Sequence, residues 1–160
     1  MRCHLVSSRL ITIHLRAVPF NITGLQAYTL TSDYDIEIEE FYDQLQNVID
    51  QTPKKDILCV QGDWNAKVGR DAYDFSCGPF CNDTNERGLR LLEFASFNDL
   101  VLANTFGHHI ASRRWIWHSP NGQHHNQIDY ILVRKRFRLG VNIAEHETFQ
   151  EQTLEVITTC

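Results

Sequence analysis

No apolar run in this sequence approaches the ~20 residues that a membrane-spanning helix needs. Positive charge is in short supply: 15 Lys and Arg stand against 20 Asp and Glu, a formal net charge of −5. That deficit excludes a protein that coats nucleic acid by charge alone, but not an enzyme that handles phosphodiesters through a metal ion. The five cysteines, at 3, 59, 77, 81 and 160, are odd in number and unevenly spaced. They do not read as a secreted disulfide framework, so a reducing, intracellular compartment is expected. His4, Arg9, His14 and Arg16 interrupt the first twenty residues, so no signal-peptide core is expected there. The Asn21-Ile22-Thr23 and Asn82-Asp83-Thr84 glycosylation patterns then read as chance matches. Internal repeats, low-complexity tracts and linkers are also missing. What remains is an ordinary globular composition, 42% hydrophobic and 22% charged over 160 residues, read as a single domain.

Residues 10 to 16 alternate, with Ile11, Ile13 and Leu15 on one side and Thr12, His14 and Arg16 on the other, which predicts a half-buried strand. Residues 22 to 30 form a second extended run, read as its hairpin partner. Ser32 and Asp35 make an approximate capping box, and Ile38, Phe41, Tyr42, Leu45, Val48 and Ile49 recur at helical spacing. The helix is placed at 35–50, closed by Pro53. Residues 33 to 50 carry seven acids and no Lys or Arg, a pattern read as a solvated helix face rather than a metal-attracting surface. Ile57-Leu58-Cys59-Val60 is read as a strand buried on both faces. A helix follows at 85–97, a buried strand at 100–103 and a strand at 128–133. The Trp115-Ile116-Trp117 segment is paired with that last strand across the Ser119-Pro120-Asn121-Gly122 turn. Strand pairs alternating with helices imply α/β (α+β) layers around a mixed sheet.

Two positions stand out chemically. Gln61-Gly62-Asp63-Trp64-Asn65-Ala66 follows a buried strand, where α/β proteins place function on a loop held by rigid structure. Asp63 and Asn65 lie two apart, so in an extended stretch their side chains share a side. A carboxylate can orient water, and a carboxamide beside it can donate to a developing oxyanion. The same residues could equally build a turn around a glycine. Asp129 is an acid between Ile128 and Tyr130 in an apolar strand. It is either a carboxylate that sets a histidine tautomer or an acid on the exposed face of an edge strand.

The strand ending in Gly62-Asp63-Trp64-Asn65-Ala66, the Asn104-Thr105 step, the Trp115 to Gly122 segment and the Gln127-Ile128-Asp129-Tyr130-Ile131 strand occur in a telling order. It is the order of the endonuclease/exonuclease/phosphatase family, and from about residue 10 to about residue 144 the chain resembles most closely the endonucleases of RTE-type non-LTR retrotransposons. The resemblance implies a partial four-layered β-sandwich, sheets flanked by helices, with the site at one end of the sheets. It also implies a hydrolase of phosphodiesters that uses Mg²⁺ or Mn²⁺, with DNA as partner and a nuclear location. On this pattern Asp63 orients the attacking water, Asn65 steadies the charged transition state, Tyr28 contacts the scissile phosphate and Asp129 orients the catalytic histidine.

The sequence departs from that pattern in three places. The family's Asn and metal-binding Glu come from strands before residue 10, and its closing Ser-Asp-His triplet has no counterpart here. Glu145-His146 is the available acid–His pair, and the Tyr28 segment lacks the family's usual proline. The expectation is therefore an incomplete domain, 1–160, with weak or no activity. The alternatives are a non-catalytic relic serving as a binding surface, and a small zinc-binding module.

Cys77 and Cys81 with His118 and His124 carry the zinc alternative. The adjacent pairs His108-His109 and His124-His125 make poor chelators, because neighbours on a strand face opposite ways. Arg134, Lys135, Arg136 and Arg138 form a basic cluster that either contacts phosphate or balances the acidic helix. Trp115 and Trp117 either stack on bases or enter the core.

Overall fold

The structure, a computed structural model, describes residues 1–29, 35–69, 76–78, 84–106, 117–118, 125–126 and 129–138. Its strands are β1 (Arg2–Ser7), β2 (Leu10–Leu15), β3 (Ile22–Tyr28), β4 (Ile57–Asp63), β5 (Leu100–Leu102), β6 (Trp117–His118), β7 (His125–Asn126) and β8 (Asp129–Arg134). Its helices are α1 (Asp35–Gln51) and α2 (Glu86–Phe97). Six strands form one mixed sheet in the order β1-β2-β3-β4-β8-β5, and β6 and β7 form a separate pair. β1, β2 and β3 are an antiparallel meander. β3 and β4 run parallel, joined through α1, because a parallel pair needs a long crossover. The α+β class expected from the sequence is thus observed.

Local chemistry explains the helices. Phe41, Leu45 and Ile49 recur every fourth residue on α1 and are all buried. After Gln51 the chain turns: the Thr52 hydroxyl donates to the Val48 carbonyl (2.9 Å), and Pro53 cannot extend the ladder. α2 starts at Asn85, whose side chain accepts from Gly88 N–H at 2.8 Å, satisfying a helix-start donor. Both helices lie on the sheet face lined by Leu10, Leu25, Leu58, Val60, Leu102 and Leu132, each at most 1% exposed. Trp64 closes this core, stacked on Tyr42 with ring centroids 6.4 Å apart and edge-on to Phe41 at 6.2 Å.

The opposite face is unevenly covered. Val101, Ala103 and Val133 are buried there with Cys59, Phe106 and Ile131 against them. Toward the β1 edge, Leu5 is 65% exposed and Ile11, Ile13 and Leu15 are 37–39% exposed.

Three readings change. The 57–60 segment is not buried on both faces: Leu58 and Val60 are fully buried, whereas Ile57 and Cys59 are half-buried on the second face. The Trp segment does not pair with the last strand. Trp117 faces Asn126 and His118 faces His125, while β8 lies between β4 and β5. β1, which the sequence reading passed over, adds an antiparallel edge strand to β2. The Ser32 cap, and Trp115 with Ile116, lie outside the described residues.

Candidate active site

Register brings the sequence-predicted residues together. In the parallel ladder Tyr28 faces Asp63, and in the antiparallel ladder Asp63 faces Asp129. Tyr28, Asp63 and Asp129 therefore stand in a row across three adjacent strands, at the carboxyl ends of β3 and β4. Alternation puts all three on the face away from the helices, with Gln26 and Gln61 next along the strands. β8 has a neighbour on each side, but β5 pairs with it only from Leu132 to Arg134, so at Asp129 its ladder partner is β4.

Asp63 is the last residue of β4, not part of the loop after it. Its carbonyl accepts from Thr29 N–H (2.9 Å) and from the Thr29 hydroxyl (3.3 Å), which extends the β3–β4 ladder past the strand end. Its Oδ1 accepts from Asn65 N–H at 2.9 Å. Asn65 departs from the expected extended conformation: its φ is +46°, a left-handed turn that Asn tolerates better than most residues. Its Nδ2 donates to the Thr29 carbonyl at 3.1 Å, leaving Oδ1 outside that bond. Asp63 and Asn65 are thus joined through a turn rather than by sharing the side of a strand.

The turn is pinned from below. Trp64 Nε1 donates to the Tyr130 carbonyl (3.1 Å), and Val68 N–H donates to the Tyr130 hydroxyl (3.1 Å). Burial pushes the Tyr130 hydroxyl far above its ordinary pKa, so it stays protonated as a structural pin. Lys67 N–H donates to the Asn85 side chain (2.9 Å), and Asn85 N–H donates back to the Lys67 carbonyl (3.1 Å), which ties the loop to the start of α2. Gly62 permits the close approach of β3. A Cβ there would lie 1.8 Å from the Ala27 carbonyl oxygen.

Tyr28 is half exposed, and the Arg9 guanidinium sits 5.9 Å from its ring centroid. Arg9 and Thr29 carried no signal in the sequence, since both reach the site through pairings of distant strands. The basic cluster is placed elsewhere. Arg134 Nη1 donates to the carbonyls of Pro53 and Lys54 (2.7 Å each) and Asp56 (3.0 Å), at the far end of β4. The phosphate-contact reading of Arg134 gives way to a structural one. Cys77 is disulfide-bonded, so it has no thiolate to offer zinc, and the disulfide also departs from the set of free thiols expected of a reducing compartment. Cys81, His124 and the Glu145-His146 pair lie outside the described residues. Among the described residues no group of three or more His, Cys, Asp or Glu side chains could hold a metal, and no helix is long and apolar enough to cross a membrane.

The fold has solved counterparts. Solved structures similar to this chain include the endonuclease domain of TRAS1, a telomere-specific non-LTR retrotransposon (TM-score 0.60, 18% identity, 84% of this chain and 54% of that one). They also include the Xenopus laevis APE2 catalytic domain (TM-score 0.56, 14% identity, 83% of this chain and 48% of that one). An endonuclease/exonuclease/phosphatase family protein from Leptotrichia buccalis matches with TM-score 0.51 and 11% identity, over 79% of this chain and 41% of that one. The chain shares its fold with these structures.

Sequence similarity then names its relatives. Craniofacial development protein 2 of Bos taurus is 40% identical over 145 residues, 89% of this chain, and that of Tragulus javanicus is 39% identical over the same length and share. The chain spans about a quarter of those proteins, 24% and 25% of their lengths. A scan against protein-family profiles finds no match.

Proposed function

We propose that this chain carries the core of a divalent-metal-dependent phosphodiesterase that acts on DNA. The observation behind this reading is the row Tyr28–Asp63–Asp129, set by strand register at one end of the sheet. The names of the TRAS1 endonuclease domain and the APE2 catalytic domain point the same way.

The donor chemistry fits a hard cation. Mg²⁺ commonly takes one or two carboxylates and leaves the rest of its shell to water and substrate phosphate. The oxygens that would hold it are Asp63 Oδ2, Asn65 Oδ1 and the Asp129 carboxylate. Asp63 and Asp129 face each other across the ladder, which brings two carboxylate residues to one end of the sheet. When bound, the ion supplies electrostatic stabilisation of the phosphate's developing charge.

The chain's own residues do the remaining work. Asp63, held by Asn65 N–H, orients a water against the phosphorus. Asn65 steadies the oxyanion from its left-handed turn, which Thr29 fixes. Tyr28 contacts the scissile phosphate, with Arg9 adding positive charge at its ring. Asp129 is the residue that would orient a general-base imidazole, a role worth roughly 10²–10⁴ in rate.

The test is nicking of supercoiled plasmid by the purified chain with Mg²⁺ or Mn²⁺. Slow nicking that stops on chelation and in Asp63→Ala supports the reading. A folded chain with no nicking in either metal, or an Asp63→Ala variant that nicks as well as the parent, overturns it.

A further inference from the structure

We infer that Asn104 is a positioning residue for Asp129, acting as a one-residue substitute for a missing stretch of strand. β5 pairs with β8 through Leu100↔Arg134, Val101↔Val133 and Leu102↔Leu132. Continued, this register would put residue 104 opposite Tyr130. The strand stops at Leu102, however, and residues 103–105 form a single 3₁₀ turn. Asn104 Nδ2 donates to the Asp129 carbonyl at 3.0 Å, and Asn104 Oδ1 accepts from Ile131 N–H at 3.1 Å. Its carboxamide thus offers one donor and one acceptor to β8, as a peptide group of a continuing strand would.

The substitution has a structural purpose. Had β5 run on, its backbone would flank Asp129 directly. Instead the chain leaves the sheet: Thr105 Oγ1 donates to the Leu102 carbonyl (2.6 Å) and accepts from Gly78 N–H (2.8 Å). The turn carries the backbone after Leu102 out of the ladder, while the Asn104 side chain keeps β8 extended to its first residue. Asp129 is then fixed from both sides, by Asp63 of β4 and by Asn104. Neither a buried amide nor a buried carbonyl is left orphaned.

The catalytic part of this inference rests on the phosphodiesterase reading, but its test does not. Asn104→Leu removes both hydrogen bonds. Asn104→Asp keeps the acceptor for Ile131 N–H and sets an oxygen against the Asp129 carbonyl. NMR amide exchange in the folded chain is expected to speed up at Ile131 by at least tenfold in Asn104→Leu (~1.4 kcal/mol per tenfold) and to stay slow in Asn104→Asp. Three-bond couplings of Asp129 are expected to show one χ1 rotamer in the parent and averaging in both variants. Unchanged exchange at Ile131, or an unaveraged Asp129 in both variants, overturns the inference. Where the parent nicks DNA, Asn104→Leu lowers kcat and leaves KM in place; equal kcat also overturns it. A parent that does not nick counts against the phosphodiesterase reading alone, and the two NMR readouts still decide the role of Asn104.

Discussion

Replacing Gly88 by alanine sets two principles against each other. Gly88 lies in the first turn of α2, and helix propensity alone predicts that Gly→Ala there stabilises by up to about 1 kcal/mol. The packing predicts the opposite. A Cβ on Gly88 would meet the Lys67 carbonyl oxygen at 1.8 Å, its carbon at 2.7 Å and Thr84 Cγ2 at 3.2 Å. Lys67 cannot simply withdraw, because its N–H and carbonyl are both bonded to Asn85, at 2.9 and 3.1 Å. Overpacking costs about 1–3 kcal/mol, and each hydrogen bond broken by the displacement costs about 1 kcal/mol more. Set against the propensity gain, the net loss is about 2–4 kcal/mol. For a chain of this length that lowers the melting temperature by about 5–15 °C. Thermal and urea unfolding followed by far-UV circular dichroism measure it. Ser96→Ala, on the exposed side of the same helix, is the control and should gain a few tenths of a kcal/mol. A Gly88→Ala protein that melts at or above the parent would refute the packing argument.

Burial pushes the Cys59 thiol up to about 11, so at pH 8 a disulfide reagent should label exposed Cys3 quickly and Cys59 only on unfolding. Because the folded pKa is raised, the unfolded chain loses this proton first. Stability is then intact below pH ~9 and falls by about 2–3 kcal/mol as pH rises toward 11, a slope that Cys59→Ala should remove. Arg90 holds Glu39 in a two-point pair (2.7 Å each) and depresses its carboxyl below the ordinary value, although Glu39 is 56% exposed. Glu39→Ala should cost under ~1 kcal/mol, and only at neutral pH, since this contribution is present above about pH 4.5 and is lost on acidification. Arg90→Ala should cost more, because its guanidinium also covers the Tyr42 ring at 4.4 Å. On the two faces of the sheet, Leu58→Ala should lose about 2–5 kcal/mol, and Ile13→Thr, 37% exposed on the second face, under ~1 kcal/mol by denaturant titration.

The parts of the fold read correctly from sequence are those that local periodicity fixes. α1 is visible because Phe41, Leu45 and Ile49 recur at one face, and β2 because Ile11, Ile13 and Leu15 alternate. β1 was missed because Cys3, His4 and Leu5 are all exposed, so no buried side imposes a pattern. The Pro120-Asn121-Gly122 turn signal was read, but its partner strand was misassigned: His125 and Asn126 are polar, and the more apolar 128–133 segment looked the better match. For the site, the strand–Gly–Asp order pointed to Asp63, yet its pairing with Asp129 spans 66 residues and is decided by register, which no local window contains. The Asn65 turn and the Asn104 grip are likewise side-chain-to-backbone bonds between distant segments.

The two ends of the sheet are built for different tasks. At the α1–β4 connection four carbonyls are drawn toward one guanidinium. Arg134 holds the oxygens of Pro53, Lys54 and Asp56, reaches Thr52 at 3.3 Å, and is joined on the Lys54 carbonyl by Arg136. Desolvation lowers the Arg134 pKa below its usual value, as it should for a guanidinium used as a backbone clamp. The fully buried Asp56 lies 3.6 Å from His14 Nδ1 at the same end, and its two carboxylate oxygens have no hydrogen-bond partner among the described residues. At the other end the arrangement reverses. Asp63 and Asp129 face each other, Asn65 turns left-handed, and β5 leaves the sheet after Leu102. The Asn65 turn and the start of β8 are held by bonds that reach in from Thr29 and the 103–105 turn. The site residues therefore stand at the end of the sheet that Arg134 does not clamp.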